Sequence, residues 1–91
     1  MRISNWHYVY VLLSYKDGEL YVGLTVDLQR RLKEHNAKKS FSTKCKAPFT
    51  LIYAEACLNI KDALRRERYL KTTQGRRLLK LRLKEFFKSK N

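Results

Sequence analysis

Acidic residues are scarce in this chain: 8 Asp and Glu stand against 21 Lys and Arg, a formal net charge of +13 over 91 residues. Such an excess repels itself in the compact state and draws polyanions through counterion release. A merely solubilising surface would mix both signs. Nucleic acid is the expected partner, DNA first and RNA second, with ribosomal RNA and an anionic membrane surface as weaker candidates. No apolar run approaches the roughly 18 residues that a membrane helix needs, so no membrane span is expected. Two cysteines, Cys45 and Cys57, have no metal-ligand spacing. They read as ordinary thiols of a reduced, cytoplasmic protein without a leader segment, a disulfide between them being the alternative. P-loop, Rossmann glycine pattern, zinc-ligand cluster and serine-type triad are all missing, which removes most other enzyme classes. A chain of 91 residues is expected to form one small domain, with a modest core.

His7 to Tyr15 is rich in β-branched and aromatic residues, and Lys16-Asp17-Gly18-Glu19 is a turn with Asp-Gly at its centre. Leu20 to Gly23 reads as the returning strand, with Tyr15 opposite Leu20, Ser14 opposite Tyr21 and Leu13 opposite Val22. Alternation puts Tyr8, Tyr10, Leu12 and Tyr21 on one face, and Val9, Val11, Leu13, Leu20 and Val22 on the other. The second face is aliphatic core, whereas the first carries phenols.

Thr25 or Asp27 caps a helix running to about Asn36. Leu28 and Leu32 set its buried stripe, and at about 100° per residue Arg31 and His35 fall beside them. Gln29, Arg30, Lys33 and Glu34 point away. Residues 37–50 read as a basic surface loop with Lys38, Lys39, Lys44 and Lys46, and Leu51 to Cys57 as a third strand. Asn59 caps a helix from Ile60 to Lys71, and Gly75 opens or precedes a final helix to roughly Lys88. The order β-β-α-β-α-α implies an α+β fold, a small three-stranded antiparallel sheet flanked by helices.

Five side chains invite chemistry. Glu67 sits in the stripe set by Ile60, Ala63, Leu64 and Leu70, where an unpaired carboxylate is costly. It is either one half of an ion pair with Arg31 or Lys71 or a ligand for Mg²⁺, which keeps most of its waters and completes its shell with phosphate oxygens. Arg31 either pairs with an acid at the core edge or offers its fork to a phosphate. His35, one turn on, is a general base, an orienter of a tyrosine or a satisfied edge histidine. Tyr10 and Tyr21 are sheet aromatics or hydroxyls that position or deprotonate water. Gly23 would let the chain turn sharply and allow close backbone approach beside the site. Lys38, Lys39, Lys44, Lys46, Arg65, Arg68, Lys71 and the final helix are candidate nucleic-acid contacts, with a solvated charged face as the alternative.

Taken together, Tyr8-Val9-Tyr10, Tyr21-Val22-Gly23, the segment from Asp27 to Asn36 and the segment from Ala63 to Lys71 resemble the GIY-YIG nuclease superfamily. The likeness is to its small stand-alone bacterial branch, related to the endonuclease subunit of nucleotide excision repair. The resemblance spans nearly the whole chain and implies a one-metal DNA endonuclease using Mg²⁺ or Mn²⁺, acting in repair or on branched, nicked or single-stranded DNA. It would have Tyr10 and Tyr21 position or deprotonate water, Arg31 neutralise the scissile phosphate, His35 assist as base or orienter, and Glu67 bind the metal. Tyr8 stands where the first triplet usually starts with glycine, Leu24 where repair-type relatives carry lysine, and no asparagine follows Glu67 closely. The competing reading is a non-catalytic basic nucleic-acid binder that retains the fold.

Overall fold

The structure, a computed structural model, describes residues 5–37 and 45–89. Three strands form an antiparallel sheet: β1 (His7–Ser14), β2 (Leu20–Thr25) and β3 (Phe49–Cys57). Their order is β2-β1-β3, so β1 is central and β2 and β3 are edges. Around them lie α1 (Leu28–Asn36), α2 (Ile60–Leu70), α3 (Thr73–Arg82) and α4 (Lys84–Ser89). The α+β architecture expected from the sequence is the one observed.

Alternation along β1 sorts the core into two clusters. Val9, Val11, Leu13 and Leu20 pack with Ala63, Leu70 and Leu79 of α2 and α3. Tyr10, Leu12 and Phe49 pack with Tyr21, Leu28 and Leu32, so α1 covers the opposite face. Each fully buried aliphatic side chain contributes about 1.5–3 kcal/mol, which makes β1, covered on both faces, the anchor of the fold.

The hairpin register differs from the expected one by two residues: Leu13 pairs with Leu20, Leu12 with Tyr21 and Val11 with Val22. The Ser14 hydroxyl is the cause. It accepts from the N–H groups of Lys16 and Asp17 and donates to the Lys46 carbonyl at 2.6 Å. Ser14 N–H donates to Glu19 O, and Tyr15 N–H turns to Pro48 O. Tyr15 thus leaves the ladder, and Gly18 supplies the positive φ of 73° that the wider loop needs. A slip of two preserves the faces, so the core assignment survives.

Helix starts follow local chemistry. Asp27 caps α1 by accepting from Arg30 N–H, while Thr25 Oγ1 accepts from Asp27 N–H. Asn59 caps α2 and Thr72 caps α3. Asn36 does more than end α1, because its side chain accepts from Phe49 N–H at 2.6 Å and donates to Phe49 O at 3.2 Å. That clamp ties α1 to β3 and starts the strand two residues earlier than hydropathy suggests. The final helix is two helices, broken at Leu83, and Gly75 lies inside the first turn of α3. Ile60, expected in the buried stripe of α2, is 45% exposed, whereas Ala63 and Leu70 of that stripe are buried. Cys45 and Cys57 are free thiols. Among the described residues no helix is long and apolar enough to cross a membrane.

Candidate active site

A cavity of about 520 Å³ runs along β2, and its lining includes Tyr10, Tyr21, Arg31, His35 and Glu67 together with Lys71 and Arg76. Residues 21 to 24 all line it. Successive strand residues face opposite ways, so a cavity touching four in a row lies across the sheet edge. There α1, on one face, and α2, on the other, both reach it. The five side chains singled out in the sequence therefore share one space.

Arg31 Nε donates to Tyr10 Oη at 3.2 Å, and Tyr10 Oη lies 3.0 Å from His35 Nε2. Tyr10 and His35 are each only 4% exposed. Burial pushes the Tyr10 phenol above its usual range despite the Arg31 hydrogen bond and charge. Burial, with the Arg31 charge second, pushes His35 below the usual imidazole value, which favours a neutral ring. The His35 ring also meets Phe49 edge-on at 5.6 Å. Arg31 Nη1 donates to Glu34 Oε1 at 3.0 Å, so Glu34, expected to point away, turns back along α1 to the guanidinium.

Glu67 holds its carboxylate 3.3 Å from Lys71 Nζ, and its side chain is 17% exposed. Of the two ion-pair partners that the sequence allowed, the structure selects Lys71, one turn along α2. Tyr21 donates to Asp17 Oδ2 at 2.7 Å. Burial first, and that carboxylate second, push the Tyr21 phenol up to about 12, while the bond from Tyr21 is the main cause holding Asp17 down to about 2. Lys46 Nζ lies 3.5 Å from the same carboxylate.

Gly23 is not at a turn. It lies within β2, directly opposite Tyr10, and the close approach is that of a phenol ring. Arg65 is exposed and pairs with Asp62 at 3.2 Å, and Arg68 is exposed. Neither lines the cavity, whereas Lys71 does. Lys38, Lys39 and Lys44 fall outside the described residues. Sequence reasoning assigned Asp17 and Glu34 no part in the site and placed Arg76 only within the basic final helix. The Asp-Gly pair signalled only a turn, and nothing local links Arg76 to β2, where its Nη1 donates to Leu20 O at 3.0 Å.

A family model described as the GIY-YIG catalytic domain matches residues 6–80. The chain belongs to the GIY-YIG family. A UPF0213 protein of Staphylococcus haemolyticus is 38% identical over 76 residues, covering 82% of this chain and 92% of that protein. One of Bacillus licheniformis is 42% identical over 69 residues, covering 75% and 70%. The solution structure of a UPF0213 protein from Bacillus halodurans is similar at 35% identity and a TM-score of 0.52, with 81% of each chain covered. GIY-YIG membership implies a nuclease, a class that generally depends on a divalent metal.

The residues suit such an ion in one specific way. Among the described residues no three His, Cys, Asp or Glu side chains cluster to enclose a metal. Glu67 is the one carboxylate among the described residues lining the cavity. A single carboxylate facing an open space fits a hard divalent cation that keeps waters and binds phosphate oxygens.

Proposed function

We propose that this GIY-YIG protein is a divalent-cation-dependent endonuclease that hydrolyses DNA phosphodiester bonds in the cavity along β2. The observation that carries the reading is the convergence of Tyr10, Arg31, His35 and Glu67, from three separate elements, on one cavity. Glu67 would hold the cation, Mg²⁺ or Mn²⁺, which when bound supplies positive charge to the phosphate oxygens. Arg31, anchored through Nε on Tyr10, neutralises charge that builds on the scissile phosphate.

Both phenols ionise above their ordinary value, so at neutral pH they stay protonated and position water. They do not act as phenolate bases. Tyr10 Oη accepts a hydrogen from the attacking water while its own proton passes to neutral His35 Nε2, 3.0 Å away. Water oxygen bonds to phosphorus as the bond to the leaving deoxyribose oxygen breaks, and that oxygen keeps the bonding pair and takes a proton from solvent. Tyr21, fixed by Asp17, orients the incoming strand or its water. Residues 1–91 act as one nuclease-like domain, in the cytoplasm, on branched or nicked DNA during repair, as the family likeness suggests.

The Glu67–Lys71 pair favours a second reading, a non-catalytic DNA binder in which Lys71 occupies the carboxylate permanently. A plasmid-nicking assay decides between them. Mg²⁺- or Mn²⁺-dependent nicking that EDTA and Glu67→Gln both abolish supports the nuclease, and binding without nicking in either metal supports the binder.

A further inference from the structure

Beyond the cavity along β2, a second concave surface of about 430 Å³ lies on α3, lined by Thr73, Arg76, Arg77 and Lys80. Three cations and a hydroxyl share it, with no acid among its lining residues. None of the three forms an ion pair with any described residue, although acids elsewhere on the surface are paired with Arg30, Arg31, Lys46, Arg65, Arg66 and Lys71. Unopposed cations in a concavity raise the local potential for an anion and repel one another without one. Arg76 lines this surface and the cavity along β2 alike, and its bond to Leu20 O fixes the guanidinium at the junction.

Arg76 and Lys80 are one helical turn apart, about 6 Å along the axis, and Arg77 flanks them. The row therefore leads away from the cavity as a short positively charged track with a backbone-anchored arginine at its head.

We infer that Arg76, Arg77 and Lys80 of α3 bind the phosphodiester backbone of the DNA strand whose scissile phosphate sits against Arg31. The inference rests on the nuclease reading of the cavity and extends it to the exit path of the substrate. Contacts of this kind reach phosphates, not bases, so they position the strand without reading its sequence.

The test measures binding of a fluorescent DNA oligonucleotide in EDTA across a salt series. Each phosphate contact contributes about 0.9 to the slope of log affinity against log salt for a duplex. Arg77→Gln/Lys80→Gln should flatten the slope by about 1.8 and weaken binding roughly tenfold or more at 0.1 M salt. A control pair of equal charge, Lys33→Gln/Lys61→Gln, removes exposed cations elsewhere and should flatten it by less than about half as much. Amine acetylation of the unmutated protein gives a readout independent of variant folding: DNA should protect Lys80 and leave Lys61 reactive. Equal flattening by both pairs, or equal reactivity of Lys80 and Lys61 under DNA, overturns the track. Nicking is read separately in Mg²⁺. A nicking protein with no α3 effect sinks the track alone, and an α3 effect without nicking sinks only the nuclease reading.

Discussion

Tyr10 and Gly23 face each other across β1 and β2, and the phenol of Tyr10 occupies the volume that any side chain at Gly23 would claim. A Cβ built there meets the Tyr10 hydroxyl and ring carbons in hard overlap. The ring cannot simply swing aside, because its hydroxyl is held by Arg31 and His35. Gly23→Ala should therefore lower stability by about 1–3 kcal/mol and disrupt the Arg31–Tyr10–His35 array. Tyr10→Ala made in the same chain should recover part of that stability. Urea denaturation of the two single variants and the double variant measures the coupling, and strict additivity would refute the overlap.

Removal of the Arg31 guanidinium tests its proposed place at the phosphate. By analogy with oxyanion-stabilising donors, Arg31→Ala should reduce nicking by about 10²–10³. Arg31→Lys should recover little, since a point charge cannot hold Tyr10 through Nε and meet a phosphate at once. Single-turnover nicking rates are the measurement.

The pH response of stability should carry the signature of His35. Burial and the Arg31 charge hold it below its ordinary 6.5 in the folded chain, so the unfolded chain binds the extra proton first. The contribution of neutral His35 to stability is complete above pH 6.5 and is lost as the pH falls through the folded value. Urea midpoints below that pH should decline in the unmutated protein, and His35→Gln should flatten the decline.

Asp17 holds Tyr21 high for only one of two reasons. Burial comes first and the carboxylate second, so Asp17→Asn should bring the Tyr21 phenol below about 12 yet leave it above 10.0. Alkaline ultraviolet titration, with Tyr21→Phe subtracted, resolves that group. An unchanged titration would show that Asp17 has no hold on it.

Arg66 shares the Glu67 helix but faces away from the chemistry. It grips Glu55 at 2.9 Å through both Nε and Nη2, while Tyr53 also donates to Glu55 at 2.8 Å. Arg66→Ala should cost about 1–3 kcal/mol by leaving Glu55 poorly satisfied, and should leave nicking by the folded protein unchanged. Urea melts and nicking rates at low temperature separate the two effects.

Much of this molecule was legible before any coordinates. Period-two alternation alone sorted Val9, Val11 and Leu13 from Tyr10 and Leu12, and the 3.6-residue period put Arg31 and His35 on one helical face. Asp27 and Asn59 announced the helices they cap. These features are local, set by backbone geometry within one element.

The tertiary structure decided what depends on pairs of elements. The Ser14 hydroxyl reset the hairpin by two residues, the Asn36 side chain fixed where β3 begins, and crossing at the β2 edge brought α1 and α2 to one cavity. Lys71, not Arg31, became the partner of Glu67, and Arg76 arrived from α3 to join two basic surfaces. Periodicity states which way a side chain points, but only packing and hydrogen bonds across long sequence separations state what it meets.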